Sequence, residues 1–199
     1  MKLITETSWD ISQLNEEKSG KDLYVVGIFS SAEVKNANGR VYPRQILERE
    51  IEKFYNEKVK QKCAIGQLNH PNTPEGDLEK AAILVEQLEW KSNNVIGKAK
   101  VLTTPSGQIV RSLINDGVKI GISSRGLGDV SESGIVEDTF NLLTYDIVSN
   151  PSNIGSWVNG IYEGTTFGVD KDKERQIKEA KEEYKKKIWQ VLENIEKNI

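Results

Sequence analysis

The sequence contains one histidine, His70, and one cysteine, Cys63. A single imidazole rules out two-histidine zinc sites and the HExxH metalloprotease helix. Any imidazole chemistry therefore falls to His70. It stands in the stretch GQLNHP, Gly66 to Pro71. Pro71 biases its predecessor toward extended backbone, so His70 leaves a strand end without entering a helix. An imidazole beside a loop is placed to face a cleft and, when neutral, to accept a proton at cell pH. A hydrogen-bonded surface histidine is the plain alternative.

Two serines, Ser123 and Ser124, lie in GISSRG. Strand alternation puts Ser124 on the face of Ile120 and Ile122 and turns Ser123 to the other side. Glycines at 117, 121, 126 and 128 thin out side chains and leave room for another backbone to approach. A serine hydroxyl needs a base before it can attack a carbonyl. A glycine- and serine-rich strand end without chemistry is the competing account. Asp146 lies within the apolar run LLTYDIV, Leu142 to Val148. Alternation places it on the side of Leu142 and Val148. A carboxylate buried there requires a cation or hydrogen-bond donors. A histidine that gains a proton during turnover would serve, and so would Arg125 in a structural ion pair. A nucleophile, a base and a buried acid fit the logic of attack, proton relay and orientation. Their separation in sequence means that only a fold could assemble them. Cys63 is the other nucleophile candidate, seven residues before His70. Its strand-like apolar setting predicts a buried, inert thiol.

The elements that must position these residues are legible in outline. Residues 23–31 (LYVVGIFSS) read as a buried strand. Pro43 opens an amphipathic helix from Arg44 to about Lys60, with apolar residues at 46, 47, 51, 54, 55 and 59. A short strand follows from Cys63 to Gly66. Residues 81–90 and 94–102 form a hairpin about Lys91-Ser92-Asn93-Asn94. Residues 105–116 form a short helix closed by Gly117. Two more strands follow, through GISSRGLG and LLTYDIVS, separated by a polar turn around Glu132-Ser133-Gly134. Residues 1–20 read as a loosely held arm. The tail, 169–199, is dense in Lys and Glu without Gly or Pro past Val169, and reads as a charged amphipathic helix. Irregular alternation of strands and helices favours a mostly antiparallel sheet or barrel with helices outside.

Composition bounds the function. With 199 residues, 27 Lys and Arg against 30 Asp and Glu, and a net charge of −3, the chain lacks the cationic excess of a phosphate-binding surface. Its basic residues Lys91, Lys98, Lys100 and Arg111 are dispersed. One cysteine permits no internal disulfide and suits a reducing compartment. No apolar run approaches a membrane span, and Met1-Lys2 is not followed by a signal-peptide core. No phosphate loop or dinucleotide fingerprint occurs.

Three stretches taken in order, GQLNHP at 66–71, GISSRGLG at 121–128 and YDIVSNPS at 145–152, resemble the prohead core protein proteases of myovirus-type tailed phages. VVGIFSSAEVKNANGRVYPRQIL (Val25–Leu47) and AAILVEQLEW resemble them too, and the likeness spans about residues 20–155. That family comprises serine endopeptidases of assemblin-like fold. The resemblance implies an α+β protein, mainly an antiparallel β-barrel surrounded by helices, here with a C-terminal charged helix. Taken with the composition of the two ends, it gives an expected arm over 1–20, a protease domain over 21–168 and a helical tail over 169–199. It implies His70 as general base and Ser123, the first serine of the pair, as nucleophile, with Ser124 the alternative. Assemblin uses a second histidine as third member; this chain has none, so the resemblance implies a carboxylate in that role, Asp146 on the corresponding strand, ahead of Asp129, Glu132, Glu137 and Asp138 nearer the polar turn. The oxyanion would be held by backbone N–H groups from the glycine-rich run after Ser123 or from Pro151-Ser152-Asn153.

The implied substrates are phage scaffold or core proteins and the major capsid protein, cut after Leu or Ile, any residue, then Glu, inside the prohead in the host cytoplasm. Self-cleavage would follow at Glu163 or Glu179; Leu14-Asn15-Glu16 also fits the pattern. A homo-oligomer is expected, with no cofactor, metal, nucleic acid or membrane partner. The rival reading is a noncatalytic assembly module that binds scaffold.

Overall fold

The computed structural model describes residues 2–7, 22–71, 73–150 and 155–162. Eight strands and two α-helices run in the order β1 (Lys2–Thr7), β2 (Leu23–Ser31), α1 (Arg44–Phe54), β3 (Ile65–Gln67), β4 (Ala81–Lys91), β5 (Asn94–Val101), α2 (Pro105–Asn115), β6 (Gly121–Gly128), β7 (Asn141–Val148) and β8 (Asn159–Tyr162). The class is α+β. Among the described residues every pairing between these strands is antiparallel.

Local chemistry accounts for the boundaries. Thr104 caps α2 by accepting the Gly107 N–H, Pro105 fills the first helical turn, and Gly117 lies past its end at φ +76°. Ser92 and Asn93 make the tight turn between β4 and β5, with Ser92 at φ +55°. The helix expected from Arg44 to Lys60 is α-helical only to Phe54. Tyr55–Val59 continues it as a π-helical turn, in which Lys60 N–H donates to the Tyr55 carbonyl. The wider turn keeps Val59, five residues beyond Phe54, buried beside it.

The strands form two sheets, one ordered β1-β6-β7 and the other β3-β4-β5-β2-β8. The expected closed barrel is absent among the described residues. Between the sheets run only single bridges, Leu68 with Ile147 and Gly121 with Trp157. The cause lies at β6. One of its edges carries β7, and β1 takes the other from Ser123 to Gly128. Among the described residues the chain leading into β8 therefore meets β6 only at its start, where Gly121 bridges Trp157 and the Ile122 N–H donates to the Ser156 carbonyl, and no longer ladder forms there. Lys2–Thr7, expected within a loose arm, is thus a paired strand. The charged helix expected over 169–199 lies outside the described residues.

The core sits between the sheets. Ile122 of β6 and Tyr145 and Ile147 of β7 belong to one buried cluster with Val25 and Phe29 of β2 and Ala82, Ile83 and Val85 of β4. Tyr145 is the hub. Its ring lies 5.1 Å from that of Phe29 and 5.8 Å from that of Phe54, on α1. Its hydroxyl shares a 3.0 Å hydrogen bond with Ser30, and burial raises its pKa, so it remains a phenol.

Gly66 lets β3 approach β7. A Cβ there would stand 1.9 Å from the Tyr145 carbonyl oxygen and 2.7 Å from the Ile83 side chain. The first obstacle is backbone, which cannot rotate aside. Gly66→Ala should therefore cost about 1–3 kcal/mol in chemical denaturation, and should push the strand that leads to His70 away from β7.

Candidate active site

Register does most of the assembly. In the β6–β7 ladder Ser123 lies directly opposite Asp146. Both side chains therefore project from the same face, away from the core face that carries Ile122 and Tyr145. Arg125, two residues after Ser123, shares that face. An extra residue in β7, at Leu143, shifts the ladder between Arg125 and Gly126. The shift returns Leu142 to the core with Tyr145 and Ile147, so Asp146 does not share a face with Leu142 as simple alternation predicts.

His70 arrives from the neighbouring strand. β3 ends at Gln67; Leu68 then bridges Ile147, and the Asn69 N–H donates to the Ile147 carbonyl at 2.7 Å. Asn69 takes a left-handed conformation, φ +64°, which asparagine tolerates better than most residues. That kink, followed by Pro71, turns His70 onto the face of Ser123 and Asp146.

The three candidates meet there. His70 Nδ1 lies 2.8 Å from Asp146 Oδ2, and Nε2 lies 2.6 Å from Ser123 Oγ. Asp146 offers only acceptors when ionised, so Nδ1 carries the ring hydrogen and donates it. Nε2 is then bare and accepts from the serine hydroxyl. Asp146 is 0% exposed and Ser123 is 1% exposed, whereas the His70 side chain keeps 20% of its surface. The acid is sealed while the imidazole edge meets solvent.

A buried carboxylate needs more than one donor. Besides His70, Asp146 Oδ2 accepts from Arg125 Nε at 2.7 Å. Oδ1 accepts from the Gln67 backbone N–H at 2.9 Å and from Arg125 Nη2 at 3.2 Å. These four donors match the roughly four lone-pair sites of a carboxylate. Histidine and arginine, alternatives from sequence, are simultaneous partners. Arg125 Nη1 reaches on to the Pro74 carbonyl at 2.8 Å and, more weakly, to those of Thr73 and Glu75. It thus ties the loop after His70 to the carboxylate. The Gln67 N–H was not foreseeable, since any residue type supplies a backbone donor. Glu50 was also missed. It is buried on α1, accepts from Arg49 at 2.9 Å and takes the Leu142 N–H at 3.0 Å, which anchors β7 beside its bulge.

The other candidates stand apart. Ser124 is buried on the core face opposite Tyr145. Cys63, expected to be buried, is exposed. Strand β3 begins only at Ile65, and Ala64 takes the inward position, leaving the thiol near the Glu57 and Lys58 carbonyls at 3.7 and 3.6 Å. Gly126 and Gly128 have a packing cause: a Cβ on either would strike Phe140 at 2.5 or 2.8 Å. Residues 151–153, the other proposed oxyanion segment, lie outside the described residues. A cleft of about 200 Å³ opens beyond Arg125, lined also by Lys58, Cys63, Ile65, Leu78 and Leu143, but not by His70 or Ser123. Among the described residues no three His, Cys, Asp or Glu side chains are grouped to hold a metal ion.

The sequence profile of prohead core protein serine proteases matches residues 6–166. The chain belongs to that family. The prohead core protein protease of Enterobacteria phage T4 is 40% identical over 156 residues, which cover 72% of this chain and 74% of that protein. The solved structure of the bacteriophage T4 capsid assembly protease superposes with a TM-score of 0.66 at 36% identity. That match covers 75% of this chain and 98% of the solved one. In this family member all three hydrogen-bonded side chains fall within the matched residues.

Removing Arg125 should expose how much the site depends on it. Arg125→Met leaves a buried carboxylate short of two donors and should lower the unfolding free energy by about 3 kcal/mol or more in urea titration. Arg125→Lys should recover only part of the loss, because an ammonium cannot reproduce the forked pair of bonds.

Proposed function

We propose that this protein is a serine endopeptidase of phage prohead maturation, with Ser123 as nucleophile, His70 as general base and Asp146 as the group that orients and charge-balances the imidazole. The single observation that carries this reading is the continuous hydrogen-bonded path from Ser123 Oγ through both ring nitrogens of His70 to Asp146. In the first step Nε2 takes the hydroxyl proton as Oγ bonds to the scissile carbonyl carbon. The imidazolium then gives that proton to the leaving amine, and water repeats the sequence to free the acyl group. Asp146 holds Nδ1–H in place and stabilises the transient imidazolium. Backbone N–H groups would hold the oxyanion.

The substrates proposed are scaffold or core proteins and the major capsid protein, cut after Leu or Ile, any residue, then Glu, inside the prohead. Family membership supports this range, and so does the T4 relative, which is named a capsid assembly protease. Kinship to herpesvirus assemblin, a homo-oligomeric assembly and a tail helix over 169–199 that docks the enzyme on the scaffold belong to the same proposal. Among the described residues no helix is long and apolar enough to cross a membrane.

Cleavage of a Leu-x-Glu reporter peptide tests the assignment. Ser123→Ala should remove nearly all turnover, and Asp146→Asn should lower kcat by about 10⁴. Ser124→Ala and Cys63→Ala should each retain most activity. Undiminished cleavage by Ser123→Ala would overturn the assignment. A chain lacking residues 164–199 should cleave the reporter yet enter proheads poorly; normal incorporation would reject the docking role.

A further inference from the structure

β1 lies along the strand that carries the serine. It pairs antiparallel with β6 on the edge away from β7, with Thr7 opposite Ser123, Glu6 opposite Ser124 and Ile4 opposite Gly126. The Glu6–Thr7 peptide bond is therefore centred across from Ser123 and Ser124. Paired strands lie about 4.8 Å apart, so this bond runs one strand spacing from Ser123 and meets the hydroxyl once it lifts out of the ladder toward the face that Ser123 presents. An extended peptide laid on an exposed sheet edge is a general mode of peptide recognition, in which main-chain hydrogen bonds fix register and side chains supply selectivity. The residues held in that register read Ile4-Thr5-Glu6. They match the Leu/Ile-x-Glu pattern proposed above for substrates, with Glu6 opposite Ser124 and the residue that follows it opposite Ser123.

We infer that β1 is the enzyme's own first substrate, held in the strand position of a bound peptide and cut between Glu6 and Thr7. The inference rests on the proposed roles of Ser123 and His70. The step balances with one water. Ser123 Oγ bonds to the Glu6 carbonyl carbon as its proton passes to His70. The Glu6 carbon–Thr7 nitrogen bond breaks, and the Thr7 amine takes that proton. Water then hydrolyses the ester, and residues 1–6 leave with a new carboxylate on Glu6. Departure of the strand uncovers the edge of β6 from Ser123 to Gly128, the stretch that a second peptide would need. The Glu163 site is placed less favourably. Ile161 and Tyr162, which precede it, already pair with Tyr24 and Leu23 in the other sheet and would have to detach first. Glu16 and Glu179 lie outside the described residues.

The test is intact-mass and N-terminal sequencing of the purified full-length chain, incubated alongside a Leu-x-Glu reporter peptide. The wild-type protein should lose residues 1–6 and begin at Thr7. Ser123→Ala should keep its N-terminus, and Glu6→Gln should slow trimming by about a hundredfold or more. If the wild type cleaves the reporter but keeps residues 1–6, or is trimmed at another bond, the inference is overturned and the protease assignment stands. Trimming of Ser123→Ala at the wild-type rate would also overturn it. If neither reporter nor N-terminus is cut, both readings fall together.

Discussion

A fully buried carboxylate is the constraint around which the site is built. Asp146 has no exposed surface, and its oxygens accept from the His70 ring, two nitrogens of Arg125 and the Gln67 backbone. Each donor comes with a structural commitment. Gln67 commits the end of β3 to lie beside β7, Arg125 commits the loop of residues 73–75 to fold back over the carboxylate, and His70 commits its ring to one orientation and one tautomer. Desolvating an isolated carboxylate costs several kcal/mol, which these contacts must offset. The same contacts that satisfy the acid therefore pre-position the imidazole against Ser123. In the proposed mechanism, stability and chemistry share their bonds.

Strand alternation separates the packed face from the face of the candidate site at single-residue resolution. Tyr145 points into the core, where it meets Phe29 and Phe54, and Asp146 points to the site. Ile122 and Ser124 face inward across from Ile147 and Tyr145, whereas Ser123 and Arg125 face outward. Core packing thus sets the height and pitch of β6 and β7, and the candidate groups inherit them. The bulge at Leu143 adjusts this plan beyond the site, and Glu50 secures it by taking the Leu142 N–H. A ladder allows no gradual error, because a one-residue slip would turn Asp146 into the core and Tyr145 toward the serine.

The two edges of β6 serve different ends. The edge toward β7 assembles the hydrogen-bonded path. The opposite edge is occupied by β1, which takes the place of a longer ladder between β6 and β8. An edge that is covered by a short terminal strand is protected against pairing with other chains, and it is also an edge that can be vacated. Architecture and access to the serine are therefore coupled through the same six residue pairs.

Much of this was legible beforehand, for physical reasons that differ by residue. A lone histidine before a proline, paired serines between glycines, and an acid in an apolar run are local anomalies, and each one restricts what the chain can do. Strand and helix positions followed from periodicity and turn chemistry, as with Pro105 and Gly117 about α2. Less was legible where a backbone atom or a distant pairing decided the outcome. The Gln67 N–H leaves no mark in a residue type, the π-turn after Phe54 changes the period only once, and β1 could be recognised as a strand only once β6 offered it an edge. Cys63 illustrates the limit: its apolar neighbours suggested burial, and the chain reversal before β3 put it in solvent. The sequence alone determined which side chains could act and which segments would be extended or helical, because those follow from covalent chemistry and local sterics. Tertiary structure alone decided that Ser123 faces Asp146 across one ladder and that His70 stands between them, because pairing register is a long-range choice made by the whole core.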